Sequence, residues 1–412
     1  MPTTSIKTRT SFRKPAAQVR RASLKINAEA TRALLSGHPW VYRHAIVNTA
    51  FTASNGDTID IVNTSGNFLG RGYYESEGVV AARLFTRDEK ISIDENFFRT
   101  VCRRAVALRQ RFIEPDTNVY RLINGEADGI PGLTVTRFGQ WLHAIVYSEG
   151  ILQHTPVIYK ALLDETCLEG VYEQQRFKPL SQEPNKRKCS SLVLGKEAPL
   201  EVPIQEDGLN FVIDITAPGS VGFFPDYRLG RRRIRMLSAG KRVLNVFSHT
   251  GAFSVHALAG GATQVINIDI SAKANARARQ NAAANGFGDE LVCITDDVFR
   301  ALGRLQRKQK CFDLVIVDPP TFASDKGNTW SAPKNMRELL QDVSHVCNPN
   351  TLLLITSNTI KLAQETFERA VAGGLLHRNP VVLERIGMPA DYPEILAFPE
   401  SSYLKSVFVH ID

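Results

Sequence analysis

The sequence contains no run approaching the eighteen or so consecutive apolar residues of a membrane-spanning helix, so none is expected. Its six cysteines (Cys102, Cys167, Cys189, Cys293, Cys311 and Cys347) form no C-x-x-C pair and no Cys/His cluster at zinc-ligand spacing. That argues against a disulfide scaffold and a structural zinc module; no metal site is expected, and a reducing compartment is the natural setting. Acid is missing from one region. Residues 1 to 28 hold seven of the 50 Lys and Arg and none of the 42 Asp and Glu, so nearly all of the +8 net charge lies there. With no apolar segment after these bases, a secretory signal is excluded. Residues 1 to 22, rich in Ser and Thr, read as a basic disordered tail. A phosphate-binding arm for nucleic acid or an organelle transit peptide are the competing readings, the latter moving the protein from cytoplasm to organelle.

The remainder is globular. At 412 residues, 43% hydrophobic and 22% charged, the chain predicts two or three domains with ordinary cores. Short β-rich runs, Thr58-Ile-Asp-Ile-Val62 and Phe68-Leu-Gly-Arg-Gly-Tyr-Tyr74, alternate with turn signals and predict a small β-barrel over residues 23–90. Phe97, Val101, Ala105, Leu108 and Phe112 recur at helical spacing and predict a helix over 94–113. It opens a central α+β domain, 91–201, whose stretch from Phe177 to Ser191, with the basic Lys186-Arg-Lys188, reads as a surface loop.

From about Val202 to the C-terminus the texture changes. Val243-Leu-Asn-Val-Phe247, Val265-Ile-Asn-Ile-Asp269, Leu314-Val-Ile-Val-Asp318 and Leu352-Leu-Leu-Ile-Thr356 are apolar strands separated by amphipathic helices. That pattern predicts an α/β domain, 202–412, with a parallel Rossmann-like sheet covered on both faces. Ligands of such sheets bind at the carboxyl ends of the strands. Two turns there carry the candidate chemistry. In Asn245-Val-Phe-Ser-His-Thr-Gly-Ala-Phe253 a strand runs into a tight turn and a helix, and Asp269 ends the next strand, where a carboxylate can accept both hydroxyls of a ribose. Only Gly251 is present where a pyrophosphate cradle needs more glycine, so a dinucleotide is disfavoured. A nucleoside cofactor without phosphate, such as S-adenosylmethionine, fits better. In Asp318-Pro-Pro-Thr-Phe322 a strand delivers an acid to the sheet edge and two prolines hold the chain extended. Carbonyls left unpaired there can accept from a base's exocyclic amine while Phe322 stacks on its face.

These motifs carry a family resemblance. Residues 202 to 412 resemble the class I S-adenosylmethionine-dependent methyltransferases. The chain from Leu24 resembles the bacterial 23S ribosomal RNA methyltransferases that carry an N-terminal PUA domain. The matching strings are Gly37-His-Pro-Trp-Val41, Leu122-Ile-Asn-Gly-Glu-Ala-Asp-Gly-Ile-Pro-Gly-Leu133, Gly222-Phe-Phe-Pro-Asp-Tyr-Arg228, Asn245 to Gly251, Asp296-Asp-Val-Phe299 and Asp318 to Phe322. The resemblance implies a cofactor held by Asp226, Arg228, Phe247, Ser248, Thr250, Gly251, Asp269, Asp297 and Asp318. It implies a catalytic set of Asp318, Pro319, Phe322 and Asn358. Its partner would be ribosomal RNA or a ribosomal precursor particle, with a second copy of the chain as a further option.

Within that superfamily the chain departs from the 5-methylcytosine group. That group has a Gln where this chain has Tyr227, and a nucleophilic cysteine in a loop that here reads Thr356-Ser-Asn-Thr359. Ser357-Asn358 and the Asp-Pro-Pro-Thr-Phe string resemble the guanine-N7 methyltransferase half of the bifunctional bacterial 23S enzyme, whereas Asp391-Tyr-Pro393, Pro399-Glu400 and Tyr403-Leu-Lys405 lean towards the cytosine group. The expected activity is methylation of a guanine ring nitrogen in ribosomal RNA. A cytosine-C5 enzyme with a relocated nucleophile and a non-catalytic RNA-binding assembly factor are the alternatives. His38 and Trp40 read as packing of the barrel, Cys311 and Cys347 as structural, and the arginines 231, 232, 233 and 235 as phosphate contacts.

Overall fold

Alternating burial along Thr58–Val62 turns Ile59 and Ile61 inward and leaves their neighbours half-buried, as expected of a strand with one face on a core. The computed structural model describes residues 21–48, 50–177, 189–320, 322–325, 328–360 and 362–412, with the backbone alone for 322–325 and 328–334. All but the last two residues of the basic tail, and Lys186-Arg-Lys188, lie outside the described residues. The first sheet has five strands in the order Ser23–Lys25, Thr58–Val62, Phe68–Tyr74, Val80–Thr86 and Trp40–Tyr42. It closes on Leu24, Ile26, Val41, Ile59, Ile61, Leu69 and Leu84. Trp40 packs as the sequence suggested, but against other parts of the chain. Its indole donates to Glu126 at 2.8 Å, and its ring lies 4.6 Å from that of Phe398.

A second five-stranded sheet runs Ser191–Gly195, Gly170–Gln175, Trp141–Val146, Leu133–Phe138 and Val119–Asn124. Its helix is Glu95–Arg109, capped by Asp94, which accepts from the amide of Phe97 at 2.9 Å. It ends four residues before the expected 113, leaving Phe112 exposed. The last helical residue, Arg109, turns inward as a buried cation, donating to Asp128 at 2.7 Å and to the carbonyl of Asp391 at 2.9 Å.

The third sheet has seven strands: β1 (Arg242–Val246), β2 (Gln264–Asp269), β3 (Leu291–Thr295), β4 (Phe312–Val317), β5 (Cys347–Ser357), β6 (Val381–Arg385) and β7 (Lys405–Ile411). Their spatial order is 3-2-1-4-5-7-6. The first five are mutually parallel, and β7 runs antiparallel to both β5 and β6. This is the doubly wound sheet expected from the sequence. Successive residues feed opposite faces: Val243, Val265, Leu314 and Ile316 enter one core, while Leu244, Ile266, Val315 and Val317 enter the other.

The arginine-rich helix Arg228–Leu237 corrects the sequence reading. Arg231, Arg232 and Arg233 are ion-paired within the chain rather than presented to phosphate, and Arg235 is held by a backbone carbonyl. Arg231 is buried against Glu206 at 2.8 Å, Arg232 holds Asp207 at 2.6 Å, Arg233 holds Glu384 at 2.8 Å, and Arg235 donates to the carbonyl of Asp207 at 3.0 Å. Arg228, offered above as a cofactor ligand, is 3% exposed and locked between Asp391 at 2.8 Å and Glu206 at 3.4 Å. Asp391 also accepts the backbone amide of Arg121 at 2.8 Å, so one carboxylate ties the second sheet to this helix. Removing one partner of a buried ion pair leaves an uncompensated charge at a cost of about 3–5 kcal/mol. Asp391→Ala is therefore expected to lower stability by about that amount, read from the chemical unfolding midpoint. A loss below about 1 kcal/mol, the range of exposed pairs, would contradict it.

Candidate active site

The parallel register brings the ends of β1, β2, β4 and β5 to one edge of the sheet, placing Asp269, Asp318 and Ser357 along it. At the end of β1 the chain turns through three positive-φ residues: Phe247 at 58°, His249 at 49° and Gly251 at 76°. Non-glycine residues held there cost of order 1–3 kcal/mol each and persist only where neighbours fix them. Those neighbours are visible. The amide of Ser248 donates to Ile268 O at 3.1 Å, and that of His249 to Asp269 Oδ2 at 2.8 Å. Thr250 donates through its hydroxyl to Gly222 O at 2.6 Å, and Asn281 to Thr250 O at 2.9 Å. Gly251 has no room for a side chain, because a Cβ would come within 2.8 Å of the Ala278 Cβ.

Between this turn and the Gly222–Tyr227 segment lies a cavity with Asp318 on its wall. Of the residues expected from the sequence, the cavity collects Phe247, Ser248, Thr250 and Asp318. Gly251 stays behind the turn as its hinge. Asp269 supports the turn, its other oxygen accepting the amide of Ser271 at 2.8 Å. Asp297 caps the helix Val298–Arg307, accepting from Arg300 N at 3.2 Å. Pro319 is buried next to Asp318, Asn358 is exposed beyond the end of β5, and the side chain of Phe322 lies outside the described residues. Asp226, expected among the cofactor ligands, turns elsewhere and accepts from the Tyr403 hydroxyl at 2.7 Å.

Several cavity residues were not anticipated. Phe223, Phe224 and Phe253 supply apolar wall, and His249 packs 5.3 Å from the Phe224 ring. Burial lowers the His249 pKa against the pull of Asp269, favouring a neutral imidazole. Tyr227 turns its hydroxyl towards Asp318 and Thr356, while Ser248 brings a hydroxyl oxygen that is buried without a partner, which is unusual unless a ligand completes it. Behind the wall, Asn245 donates to Ser254 at 2.9 Å and Ser254 donates to Asn267, two strands joined by a buried polar chain. That chain had a sequence signal: an Asn at the same register in two otherwise apolar strands. Among the described residues Glu206, Asp207 and His256 lie close enough to suggest a metal site. Arg231, Arg228 and Arg232 already neutralise the two acids, so the cluster is an ion-pair core.

The chain matches the model of the S-adenosylmethionine-dependent methyltransferases over residues 171–406 and that of the PUA-like domain over 24–87. The chain belongs to the S-adenosylmethionine-dependent methyltransferase family. It is 32% identical over 384 residues to Ribosomal RNA large subunit methyltransferase I of Alteromonas mediterranea, covering 92% of this chain and 96% of that one. The Escherichia coli O139:H28 protein of the same name is 33% identical, covering 91% and 95%. The crystal structure of a methyltransferase complexed with SAH has the same fold, with a TM-score of 0.86 at 24% identity over 95% of this chain and all of the other. A second, from Streptococcus mutans, has a TM-score of 0.83 at 22% identity over 95% of this chain and all of the other. No helix among the described residues is long and apolar enough to cross a membrane.

A methyltransferase of this family must accommodate a nucleoside with a charged sulfonium tail, and the chemistry of the cavity lining suits one. It joins aromatic wall to an unpartnered serine hydroxyl and a carboxylate. Burial lifts the Asp318 pKa to about 6, the nearby charge of Asp226 adding to it, while a hydrogen bond from Thr356, the Tyr227 hydroxyl and Arg231 resist. An ordinary aspartate titrates near ~3.9 when unfolded, so folding favours its protonated form. The stability it contributes is therefore fully present below about pH 4 and lost as pH rises through about 6. Asp318→Asn, neutral throughout, is expected to raise the thermal midpoint at pH 8 and to leave it unchanged near pH 4. An equal gain at both pH values would refute the assigned environment.

Proposed function

We propose that this chain methylates a guanine ring nitrogen in large-subunit ribosomal RNA, acting in the cytoplasm on the RNA or a precursor particle. The rRNA assignment is supported by relatives named Ribosomal RNA large subunit methyltransferase I that match over more than 90% of both chains. The reading of the acceptor rests on one observation: the carboxyl end of β5 and the residues after it read Ser357, Asn358 and Thr359, with no thiol.

Carbon-5 of cytosine is a poor nucleophile. Its methylation needs a thiolate to add to the ring first, and hydroxyls or an amide are far weaker nucleophiles at neutral pH. Cys347 opens β5 opposite Phe312, at the amino edge, and Cys311 precedes β4. Six residues of strand separate that edge from Asp318, roughly 20 Å at 3.3 Å per residue. Cys347 is buried, its thiol pKa is pushed up to about 12, and it donates to Val343 O at 3.3 Å. Both read as structural.

A ring nitrogen already carries a lone pair, so catalysis is chiefly alignment and desolvation. S-adenosylmethionine supplies the electrophilic methyl group when bound. Phe247, Ser248 and Thr250 would hold it in the cavity, Asp269 through the ribose and Asp297 from beyond the cavity. In this reading Pro319 would start an extended acceptor loop, Asn358 would orient the purine edge, and the Asp318 carboxylate would face the reacting centre.

Asp269→Ala is expected to weaken cofactor affinity about tenfold or more by calorimetry, since charge-assisted hydrogen bonds contribute roughly 1.5–3 kcal/mol. Unchanged affinity would remove Asp269 from the site. The acceptor is tested by incubating the enzyme with S-adenosylmethionine and rRNA containing 5-fluorocytosine. No covalent adduct should survive a denaturing gel; an adduct lost in Cys347→Ser or Cys311→Ser would restore the cytosine reading.

A further inference from the structure

Behind the Gly222–Tyr227 wall of the cavity, two charged groups are buried without completed hydrogen bonds. Asp226 is 8% exposed; Tyr403 donates to its Oδ2 at 2.7 Å, while Oδ1 is buried with no partner. Arg121, on the strand Val119–Asn124, lays its guanidinium 4.7 Å from the centre of the Tyr392 ring and leaves Nε and Nη1 buried and unpartnered. The strand Val119–Asn124 that carries Arg121 packs against the Pro225–Tyr227 turn that carries Asp226, so the two opposite charges share one neighbourhood and act on one another. Burying donors and acceptors of both signs without satisfying them is unfavourable unless a ligand with the complementary pattern completes them.

We propose that Arg121 and Asp226 form the seat of the base that accepts the methyl group, a cation donating to its carbonyl oxygen and a carboxylate accepting from its N–H groups. This rests on the base-methylating reading above. An extruded nucleobase is read by hydrogen bonds to its edge and by stacking on aromatic rings, and Tyr392 and Tyr403 stand beside the two charges. The Watson–Crick edge of guanine presents an oxygen next to two N–H donors, matching a guanidinium beside a carboxylate. Adenine lacks the oxygen and uracil the exocyclic amine. The ring nitrogen on the opposite side of guanine remains free to face the methyl donor. The proposal moves Asp226 from holding the cofactor to holding the acceptor.

The test is binding of guanosine, cytidine, adenosine and uridine to the full chain saturated with S-adenosylhomocysteine, read by saturation-transfer NMR. Wild type, Asp226→Asn and Arg121→Met are compared, with cofactor affinity measured in each by calorimetry. Asp226→Asn keeps a carbonyl oxygen for Tyr403. If Arg121→Met does not fold, Arg121→Lys retains the charge without the planar donor set and carries the same expectation. Guanosine signal in wild type, reduced at least fivefold in both variants with cofactor affinity within twofold, supports the proposal. Cytidine in place of guanosine, lost in the same variants, supports the seat while overturning the guanine assignment. No nucleoside signal, signals equal in wild type and variants, or a tenfold loss of cofactor affinity in Asp226→Asn would overturn it.

Discussion

The cavity depends on a charge that has no access to water. Arg228 is buried between Glu206 and Asp391, and the loop Gly222–Tyr227 that forms one wall of the cavity ends at this residue. A buried cation persists only with its partners in place, so the position of that wall follows from the two carboxylates. Glu206 comes from the ribbon Val202–Glu206 and Leu209–Ile213, and Asp391 from the segment before β7. Burial alone would raise the Glu206 pKa, but Arg231 and His256 beside it hold it down to about 2, so Glu206 stays ionised over the working pH range. The same Asp391 fixes the backbone of Arg121 and the side chain of Arg109 packs on its carbonyl, so the second sheet is registered against the third.

With the wall fixed, strain can be held at the turn opposite. Phe247 and His249 occupy backbone conformations usually left to glycine, and the amides they orient meet Asp269 and the end of β2. A mobile wall would let that turn relax. Ionic burial on one side and backbone strain on the other therefore describe one pre-organised pocket.

Much of this was legible in the sequence. Apolar runs ending in Asp269 and Asp318 identified the parallel sheet and its functional edge, because a strand buried on both faces admits few polar residues except at its ends. The turn after β1 and the Asp-Pro-Pro string were legible for the same reason. The destination of the arginines was not. A cluster on an amphipathic helix looks the same in sequence whether it faces phosphate or acids more than twenty positions away, such as Glu206, or far down the chain, such as Asp391. Nor does sequence reveal that Asp226 faces Tyr403, a contact spanning 177 positions. The helix expected to reach 113 ends at Arg109, whose side chain pairs with Asp128, a tertiary contact that helical periodicity does not reveal.

The central claim concerns the acceptor, and nucleoside mass spectrometry of large-subunit rRNA addresses it most directly. Cells lacking this chain are compared with the same cells carrying it restored. The account predicts that one ring-methylated guanosine disappears and returns with the restored chain, all other modifications being unchanged. Loss of a 5-methylcytidine in its place, or an unaltered modification profile, would contradict it.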